Sequence, residues 1–203
     1  KAKNGERILA FVKEENKKIV PILFISLKNE IRKNAKEIFK FFDNRKVEIK
    51  VISGDNPITV SKIAKQVGIK EYNNYIDMST LKSDKEVKEA ALKYTIFGRV
   101  SPTQKKALVL ALQEKEKTVA MTGDGVNDVL ALKASDCSIA MANGSDATKS
   151  VAQLILLDSN FASMPKVVAE GRRTINNIQR SASLFLVKTI YSFLLSVLFL
   201  IIM

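Results

Sequence analysis

The sequence predicts an α/β protein in which a parallel sheet flanked by helices is followed by a long stalk helix that enters a transmembrane helix. Two observations lead to this fold class. Short apolar runs alternate with amphipathic stretches along most of the chain, which is typical of a parallel sheet covered on both faces. Residues 181–203 contain a single charge, Lys188, and this run is long enough to cross a bilayer, which takes roughly 20 apolar residues.

Predicted strands and helices follow one another in chain order. Strands are predicted at residues 19–26, 47–53, 95–100, 118–122, 138–142 and 154–157. Helices are predicted at residues 30–44, 57–67, 103–114 and 127–134. The run at 19–26 indicates a buried strand, and the helix at 57–67 is opened by Asp55 and Asn56 and closed by Gly68. Because ligands of such sheets bind at the carboxyl ends of the strands, the candidate sites are residues 53–55, residues 122–124 and the loop after Val100.

The composition excludes several kinds of chemistry. The chain has 203 residues with no histidine and one cysteine, Cys137. Catalytic triads with histidine, histidine-bound zinc, internal disulfides and cysteine metal clusters are therefore excluded. The carboxylates, lysines, hydroxyls and backbone amides that remain suit phosphate and magnesium.

The net charge of +12 is unevenly distributed. Residues 1–50, 51–117 and 160–203 carry +7, +4 and +4, whereas residues 118–159 carry five aspartates against two lysines, or −3. An acidic window inside a basic chain indicates a cation site. The basic residues elsewhere are mixed with glutamates and no nucleic-acid motif is present, so solvated helix faces explain them better and no nucleic-acid partner is expected.

The apolar run at the end of the chain also predicts an orientation. A buried helix in a soluble protein is the alternative to a membrane span, but a helix apolar on all sides would need a large core around it. Arg172, Arg173 and Arg180 precede the run, and the positive-inside rule therefore places residues 1–180 in the cytoplasm. The chain begins with Lys1 and not with methionine, so we expect it to be part of a longer protein.

The strongest motif is Thr-Gly-Asp-Gly-Val-Asn-Asp at residues 122–128, at the end of a predicted strand. Its glycines allow the backbone to approach a ligand closely. Asp124 and Asp128 are hard oxygen donors, and two carboxylates with water and a phosphate oxygen are usual ligands of Mg²⁺. Capping of the following helix by Asn127 and Asp128 is the alternative, but it explains only one acidic residue. The motif therefore predicts a magnesium site.

This motif resembles the hinge motif of the P-type ATPases, ion pumps whose phosphorylation domain has a haloacid-dehalogenase-like fold. Four further segments are similar to the same family in order and spacing, at residues 51–59, 98–105, 138–146 and 170–178. The resemblance covers nearly all of residues 20–203. It implies that residues 1–17 end a nucleotide-binding domain and that residues 18–160 form the later part of the phosphorylation domain. Residues 161–180 would be the stalk and residues 181–203 the transmembrane helix.

The resemblance also implies roles for individual residues. Those that would act on the transferring phosphoryl group are Ser53, Gly54, Lys105, Asp124, Asn127 and Asp128. Those that would bind the nucleotide are Arg7, Ser53, Gly54, Asp55, Arg99, Lys105 and Asn127. The metal ligands would be Asp124 and Asp128. Simpler alternatives are a solvated lysine at Lys105, a helix N-cap at Asp55 and a surface salt bridge at Arg99.

The sequence departs from the family at three places. The family's nucleophile is the aspartate of Asp-Lys-Thr-Gly-Thr, and this string does not occur here. We therefore expect the nucleophile upstream, before the nucleotide-binding domain, and expect the chain alone to be inactive. Asn29 and Gln153 stand where many relatives have aspartate, so each position lacks a negative charge.

The function implied by the resemblance is that of an ATP-driven cation pump, which couples ATP hydrolysis through an aspartyl-phosphate to ion transport. ATP, Mg²⁺, a lipid bilayer and a transported cation are the implied partners, with the plasma membrane as the expected location. The Glu-Gly-Arg tract that begins at Glu170 is more similar to pumps for light cations such as calcium. A soluble haloacid-dehalogenase-like phosphatase and a noncatalytic membrane-anchored regulator are the alternatives.

Overall fold

The computed structural model describes residues 7–15, 18–27 and 31–202, and the chain divides into two compact units, Lys1–Ala162 and Ser163–Met203. The described strands of the first unit are β1 (Arg7–Glu15), β2 (Lys18–Leu27), β3 (Val51–Ile52), β4 (Tyr75–Asp77), β5 (Ile96–Gly98), β6 (Ala120–Gly123), β7 (Cys137–Met141) and β8 (Leu154–Leu156). Its described helices are α1 (Ala35–Asp43), α2 (Pro57–Val67), α3 (Asp84–Lys93), α4 (Pro102–Gln113), α5 (Val129–Ala134) and α6 (Asp146–Val151). The second unit contains helix α7 (Met164–Ile202).

The first unit is built on parallel strands, as predicted. Strands β3, β5 and β4 pair in that order in one three-stranded sheet, and β6, β7 and β8 pair in that order in a second. Each of these strands is followed by a helical segment or a turn that leads to the next strand, as parallel pairing requires. The predicted α/β class is therefore confirmed, with β3 and β6 each at an edge of its sheet.

The core explains why β5 consists of continuous apolar residues. Successive side chains of a strand point to opposite faces of the sheet. Ile96 packs on one face with apolar residues of α2, and Phe97 packs on the other with residues of α3 and α4. Both side chains are fully buried, so β5 has helices on both of its faces.

Local signals begin and end the helices next to the site. Asn56 caps α2 by accepting a hydrogen bond from the amide of Ile58 at 3.0 Å, and Pro57 occupies the first helical turn. Gly68 ends α2 in the left-handed region with φ 83°, which glycine adopts without steric cost. Helices α3 and α4 each begin with a reciprocal capping box, formed by Ser83 and Ser101 with the side chains three residues later.

One predicted strand differs from the structure in its partner and its burial. Residues 19–26 were expected to be a buried strand of the parallel sheet, but β2 pairs antiparallel with β1 in a separate two-stranded sheet, and all ten residues of β2 are exposed. A continuous apolar run does not reveal which neighbour a strand pairs with, and here the preceding strand β1 is the partner. The hairpin joins residues on both sides of the domain boundary expected after residue 17.

Smaller differences concern element ends and short elements. Helix α1 spans nine residues instead of the predicted 30–44, and β3 only two of the predicted 47–53. The motif helix begins as a 3₁₀ turn, Val126–Asp128, before α5. Four elements were not predicted: β1, β4, α3 and α6. Strand β4 and helix α6, three and six residues long, carry too little periodicity.

Helix α7 carries the apolar run at the end of the chain. Its 39 residues correspond to about 58 Å at 1.5 Å per residue. Among the described residues it is the one helix long and apolar enough to cross a membrane, with a mean hydropathy of 2.3 in its most apolar window and none of that window buried. The expected long apolar helix is thus present as a candidate membrane span.

Candidate active site

Two of the candidate loops are joined by backbone hydrogen bonds. The amide of Ser53 donates to Phe97 O at 2.9 Å, and the amide of Val100 donates back to Ser53 O at 3.1 Å. The amide of Arg99 donates to Asp55 O at 2.9 Å, although Arg99 has a φ of 52°, a left-handed conformation that is unusual for a residue other than glycine. The carboxyl ends of β3 and β5 therefore form one continuous loop surface.

The first of these loops exposes its polar groups. The N-cap of α2 is Asn56, so Asp55 is not the cap that was considered as its alternative role. Among the described residues no hydrogen bond or ion pair engages the Asp55 carboxylate, which is exposed. The Ser53 hydroxyl accepts a hydrogen bond from the Asp55 amide at 3.1 Å and keeps its own hydrogen to donate. Gly54 is exposed, and no atom lies within 4 Å of the position that a Cβ would take.

The motif loop at residues 122–128 takes part in a largely buried ion pair between Lys105 and Asp128. The Lys105 Nζ lies 2.6 Å from Asp128 Oδ1, and the two side chains are only 12% and 11% exposed. The other carboxylate oxygen, Oδ2, accepts the amide of Gly125 at 3.2 Å. Asp128 thus holds Lys105 and its own loop together, and Lys105 is not the solvated lysine of the simpler interpretation.

Asp124 presents an exposed carboxylate in the same loop as Asp128, and its backbone is fixed by the loop after β7. Its carbonyl oxygen accepts the amide of Ser145 at 2.8 Å. A Cβ on Gly144 would lie 2.9 Å from the same oxygen, so this close approach requires glycine. The side chains of Asp124 and Asn127 are exposed, and no hydrogen bond with another described side chain engages them.

The donor set can be compared with what Mg²⁺ requires. The described residues contain no group of three or more acidic, cysteine or histidine side chains that could hold a metal ion by itself. Magnesium usually takes one or two protein carboxylates and completes its shell with water and substrate phosphates. The exposed carboxylate of Asp124 fits that requirement, while both oxygens of Asp128 already have partners, Lys105 and Gly125.

The surface salt bridge considered as the alternative role of Arg99 is present, but sequence reasoning missed its partner, Asp77. The Arg99 Nη1 lies 2.8 Å from Asp77 Oδ2 at the carboxyl end of β4. The signal that could have indicated Asp77 is its place directly after the apolar Tyr75-Ile76, as an acidic residue at the end of a short strand. Arg7, the remaining predicted nucleotide contact, lies in β1, and its side chain is outside the described part of the structure.

Helix α4 ties these parts together through its first turn. The Gln104 side chain donates from Nε2 to Met78 O at 3.0 Å, next to Asp77, and its Oε1 accepts the Ser101 amide at 3.0 Å. The following residue, Lys105, bonds Asp128 after β6. One helical turn therefore connects the end of β4 in one sheet with the motif loop of the other.

We expect Ser101→Ala to affect both stability and activity, because the Ser101 hydroxyl caps the turn that carries Lys105. Loss of an N-cap costs about 1 kcal/mol of stability. Ser83→Ala is the matched control, since it removes the same capping box from α3, whose first turn carries none of the predicted site residues. Denaturant unfolding should show similar losses for both variants, and phosphoenzyme formation by the full-length protein should fall only for Ser101→Ala. Equal activity of the two variants would contradict the positioning role.

Comparison with known proteins identifies the family. The family model for haloacid dehalogenase-like hydrolases matches residues 3–136. The chain is 48% identical over 179 residues to the probable cation-transporting ATPase exp7 of Streptococcus pneumoniae, covering 88% of this chain and 23% of that protein. It is also 48% identical to the calcium-transporting ATPase CtpE of Mycobacterium tuberculosis, covering 89% of this chain and 22% of that protein. The chain therefore spans about a quarter of the length of these relatives.

Solved structures agree at the level of the fold. The catalytic domain of the CPx-ATPase CopB-B superposes with a TM-score of 0.55 at 25% identity, over 75% of this chain and 50% of that chain. A zinc-transporting PIB-type ATPase superposes with a TM-score of 0.61 at 23% identity, over 88% of this chain and 24% of that chain, which bears on the fold alone. The family match and these relatives place the chain in the haloacid dehalogenase-like hydrolase family and, within it, among the P-type ATPases.

Proposed function

We propose that this chain is the later part of the phosphorylation domain of an ATP-driven cation pump, with its stalk and the start of a membrane helix. The observation that carries the proposal is the Lys105–Asp128 pair with the exposed carboxylate of Asp124 in the same loop, at the carboxyl end of β6. A cation and a free carboxylate at one loop suit a phosphoryl group and its metal ion. The relatives, which are named as cation-transporting ATPases, support the same function.

In the complete pump, an aspartate from the Asp-Lys-Thr-Gly-Thr segment attacks the γ-phosphorus of ATP. The bond from the carboxylate oxygen to phosphorus forms, the bond to the β,γ-bridging oxygen breaks, and ADP leaves. Lys105, the Ser53 hydroxyl and the Gly54 amide donate to the phosphoryl oxygens, and Asn127 donates its side-chain amide. Water then hydrolyses the aspartyl-phosphate. These residues contribute positioning and charge, as phosphoryl transfer generally requires.

Two sheet edges that no described strand pairs with support a place for the nucleophile segment. Among the described strands, β3 and β6 each pair on one side only, and both precede candidate loops. Ile52 of β3 packs against the apolar cluster that contains Met121 of β6, so both edges border one core. An additional parallel strand pairing at these edges would carry its carboxyl end, and the nucleophile, to the loops of Ser53 and Asp124.

We assign the magnesium ion to Asp124 directly, with Asp128 as the second predicted ligand through its remaining lone pairs. When bound, the ion would neutralise charge on the phosphate oxygens. The nucleotide is bound by Arg99, Asp55 and Arg7. The carboxylate of Asp55 is exposed on the same loop surface as Arg99.

The membrane part of the proposal rests on α7 and on the relatives. The uncharged run after Lys188 enters the bilayer, the arginines before it keep the catalytic unit in the cytoplasm, and the plasma membrane is the proposed location. Calcium is the proposed cargo because the CtpE relative is named as a calcium-transporting ATPase. Transport assays with the full-length protein and a panel of cations test this assignment.

Asp124→Asn in the full-length protein is expected to abolish phosphoenzyme formation from ATP, because the amide removes the charge that holds the metal ion. The measurement is acid-stable incorporation of the γ-phosphate. Asp146→Asn is the control, since the Asp146 side chain is 99% exposed at the start of α6 and pairs only with Lys149 of the same helix among the described residues. Normal phosphoenzyme levels in Asp124→Asn would refute the magnesium assignment. Metal-dependent hydrolysis of small phosphate esters by a wild-type protein that forms no phosphoenzyme from ATP would favour a phosphatase.

A further inference from the structure

The ion pair between Arg99 and Asp77 gives Arg99 a partner that the sequence did not identify and that the proposed phosphoryl chemistry does not use. Its atoms, Arg99 Nη1 and Asp77 Oδ2, are 2.8 Å apart. The Arg99 side chain is 51% exposed, whereas that of Asp77 is 25% exposed. Surface ion pairs of flexible side chains contribute little by themselves, so any role depends on whether both partners are held in place.

The Asp77 carboxylate is held by its own turn. Its Oδ1 accepts the Ser79 amide at 3.1 Å and the Ser79 hydroxyl at 2.6 Å. The Thr80 hydroxyl donates to Asp77 O at 2.7 Å. The next residue, Met78, is fully buried in the core, and its carbonyl accepts Gln104 from α4. Oδ2 therefore faces Arg99 from a fixed position.

These contacts also keep Asp77 charged. The hydrogen bond from the Ser79 hydroxyl, followed by that from the Ser79 amide and by the charge of Arg99, lowers the pKa of Asp77 below its ordinary value. The carboxylate is thus ionised at neutral pH, and its negative charge compensates the guanidinium.

The backbone of Arg99 is held from the other side. Its amide donates to Asp55 O, and its left-handed φ of 52° fixes the direction in which the side chain leaves the loop. Among the described residues, Asp77 is the one side chain that bonds the guanidinium, and it engages only Nη1. The other nitrogens, Nε and Nη2, remain as donors for a ligand.

We propose that Asp77 is a positioning residue for nucleotide binding, which holds the Arg99 guanidinium so that its remaining donors meet the nucleotide. This rests on the proposed function, in which Arg99 contacts ATP. The family resemblance implies that Arg99 meets the nucleotide ribose, and compensation of its charge by Asp77 agrees with a neutral acceptor of that kind.

The test is the ATP dependence of phosphoenzyme formation by the full-length protein. Asp77→Asn keeps an oxygen for the Ser79 bonds but turns an amide nitrogen toward Arg99, so a donor faces a donor. We expect the KM for ATP to rise about fivefold, as for loss of one charged hydrogen bond at a partly exposed site, with the maximal phosphorylation rate unchanged. Asp84→Asn, at an exposed position in the first turn of α3, is the matched control and should leave KM unchanged.

A double-mutant cycle separates positioning of Arg99 from a general structural effect. Arg99→Ala should raise KM, and adding Asp77→Asn to it should raise KM no further. An unchanged KM in Asp77→Asn, or the same increase with and without Arg99, overturns the positioning role while the pump function stands. A wild-type protein that forms no phosphoenzyme overturns the proposed function itself, and the role of Asp77 with it.

Discussion

Lys105→Met is expected to destabilise the protein by about 3 kcal/mol or more and to abolish phosphoenzyme formation, because it leaves the Asp128 carboxylate enclosed without its partner. Methionine is unbranched like lysine and only one atom shorter, but it carries no charge. The Asp128 side chain is 11% exposed, so water cannot replace the ammonium group fully. Denaturant unfolding measures the loss of stability, and γ-phosphate incorporation measures activity.

The neighbouring lysine provides the control. Lys106 is exposed on the same helical turn, and Lys106→Met should change stability by about 0.5 kcal/mol at most, since no described partner is lost. The double variant Lys105→Met/Asp128→Asn removes both charges, keeps an oxygen for the Gly125 amide, and should recover most of the stability without recovering activity. Activity in the double variant would contradict the role of Lys105 at the phosphoryl group. Full stability of the single variant would contradict the enclosed ion pair.

The part of the fold that could be predicted is the part with strong local signals. Helix α2 has its cap at Asn56, proline in its first turn and Gly68 at its end, and its predicted bounds agree with the structure. The hairpin could not be predicted correctly, because continuous apolar residues in β2 suit a buried parallel strand as well as an exposed antiparallel one. The difference depends on its partner β1, which periodicity does not identify.

The candidate site also contains residues that could be predicted and contacts that could not. Motif residues such as Ser53 and Asp124 could be predicted because each follows an apolar run that becomes a strand, and parallel strands bring their carboxyl ends to one edge. The pairing of Lys105 with Asp128, 23 positions along the chain, could not be predicted, because spacing on separate elements gives no distance between side chains. Asp77 was missed for the same reason, since only packing places β4 beside β5.

Gly123→Ala is expected to disrupt the same ion pair from the strand side. A Cβ at this position would lie 2.5 Å from Asp128 Cβ, 2.8 Å from its Cγ and 2.9 Å from its Oδ2. The nearest atom belongs to the stem of the aspartate, so rotation of the carboxylate alone gives no room. Asp128 must move, and the 2.6 Å contact with Lys105 is lost. Overpacking costs about 1–3 kcal/mol before the loss of the pair is added.

Gly125→Ala in the same loop is the steric control for Gly123→Ala. A Cβ on Gly125 would have ordinary contact with Asp128 Oδ2 at 3.6 Å, and we expect its unfolding free energy to change by about 0.5 kcal/mol or less. If Gly123→Ala acts by displacing Asp128, its cost should be smaller in the Lys105→Met background, where the pair is already broken. Additive losses in the double variant would instead mean that the new methyl group strains β6 independently of the ion pair. A smaller combined loss would identify Gly123 as the residue whose missing side chain allows Asp128 to reach Lys105.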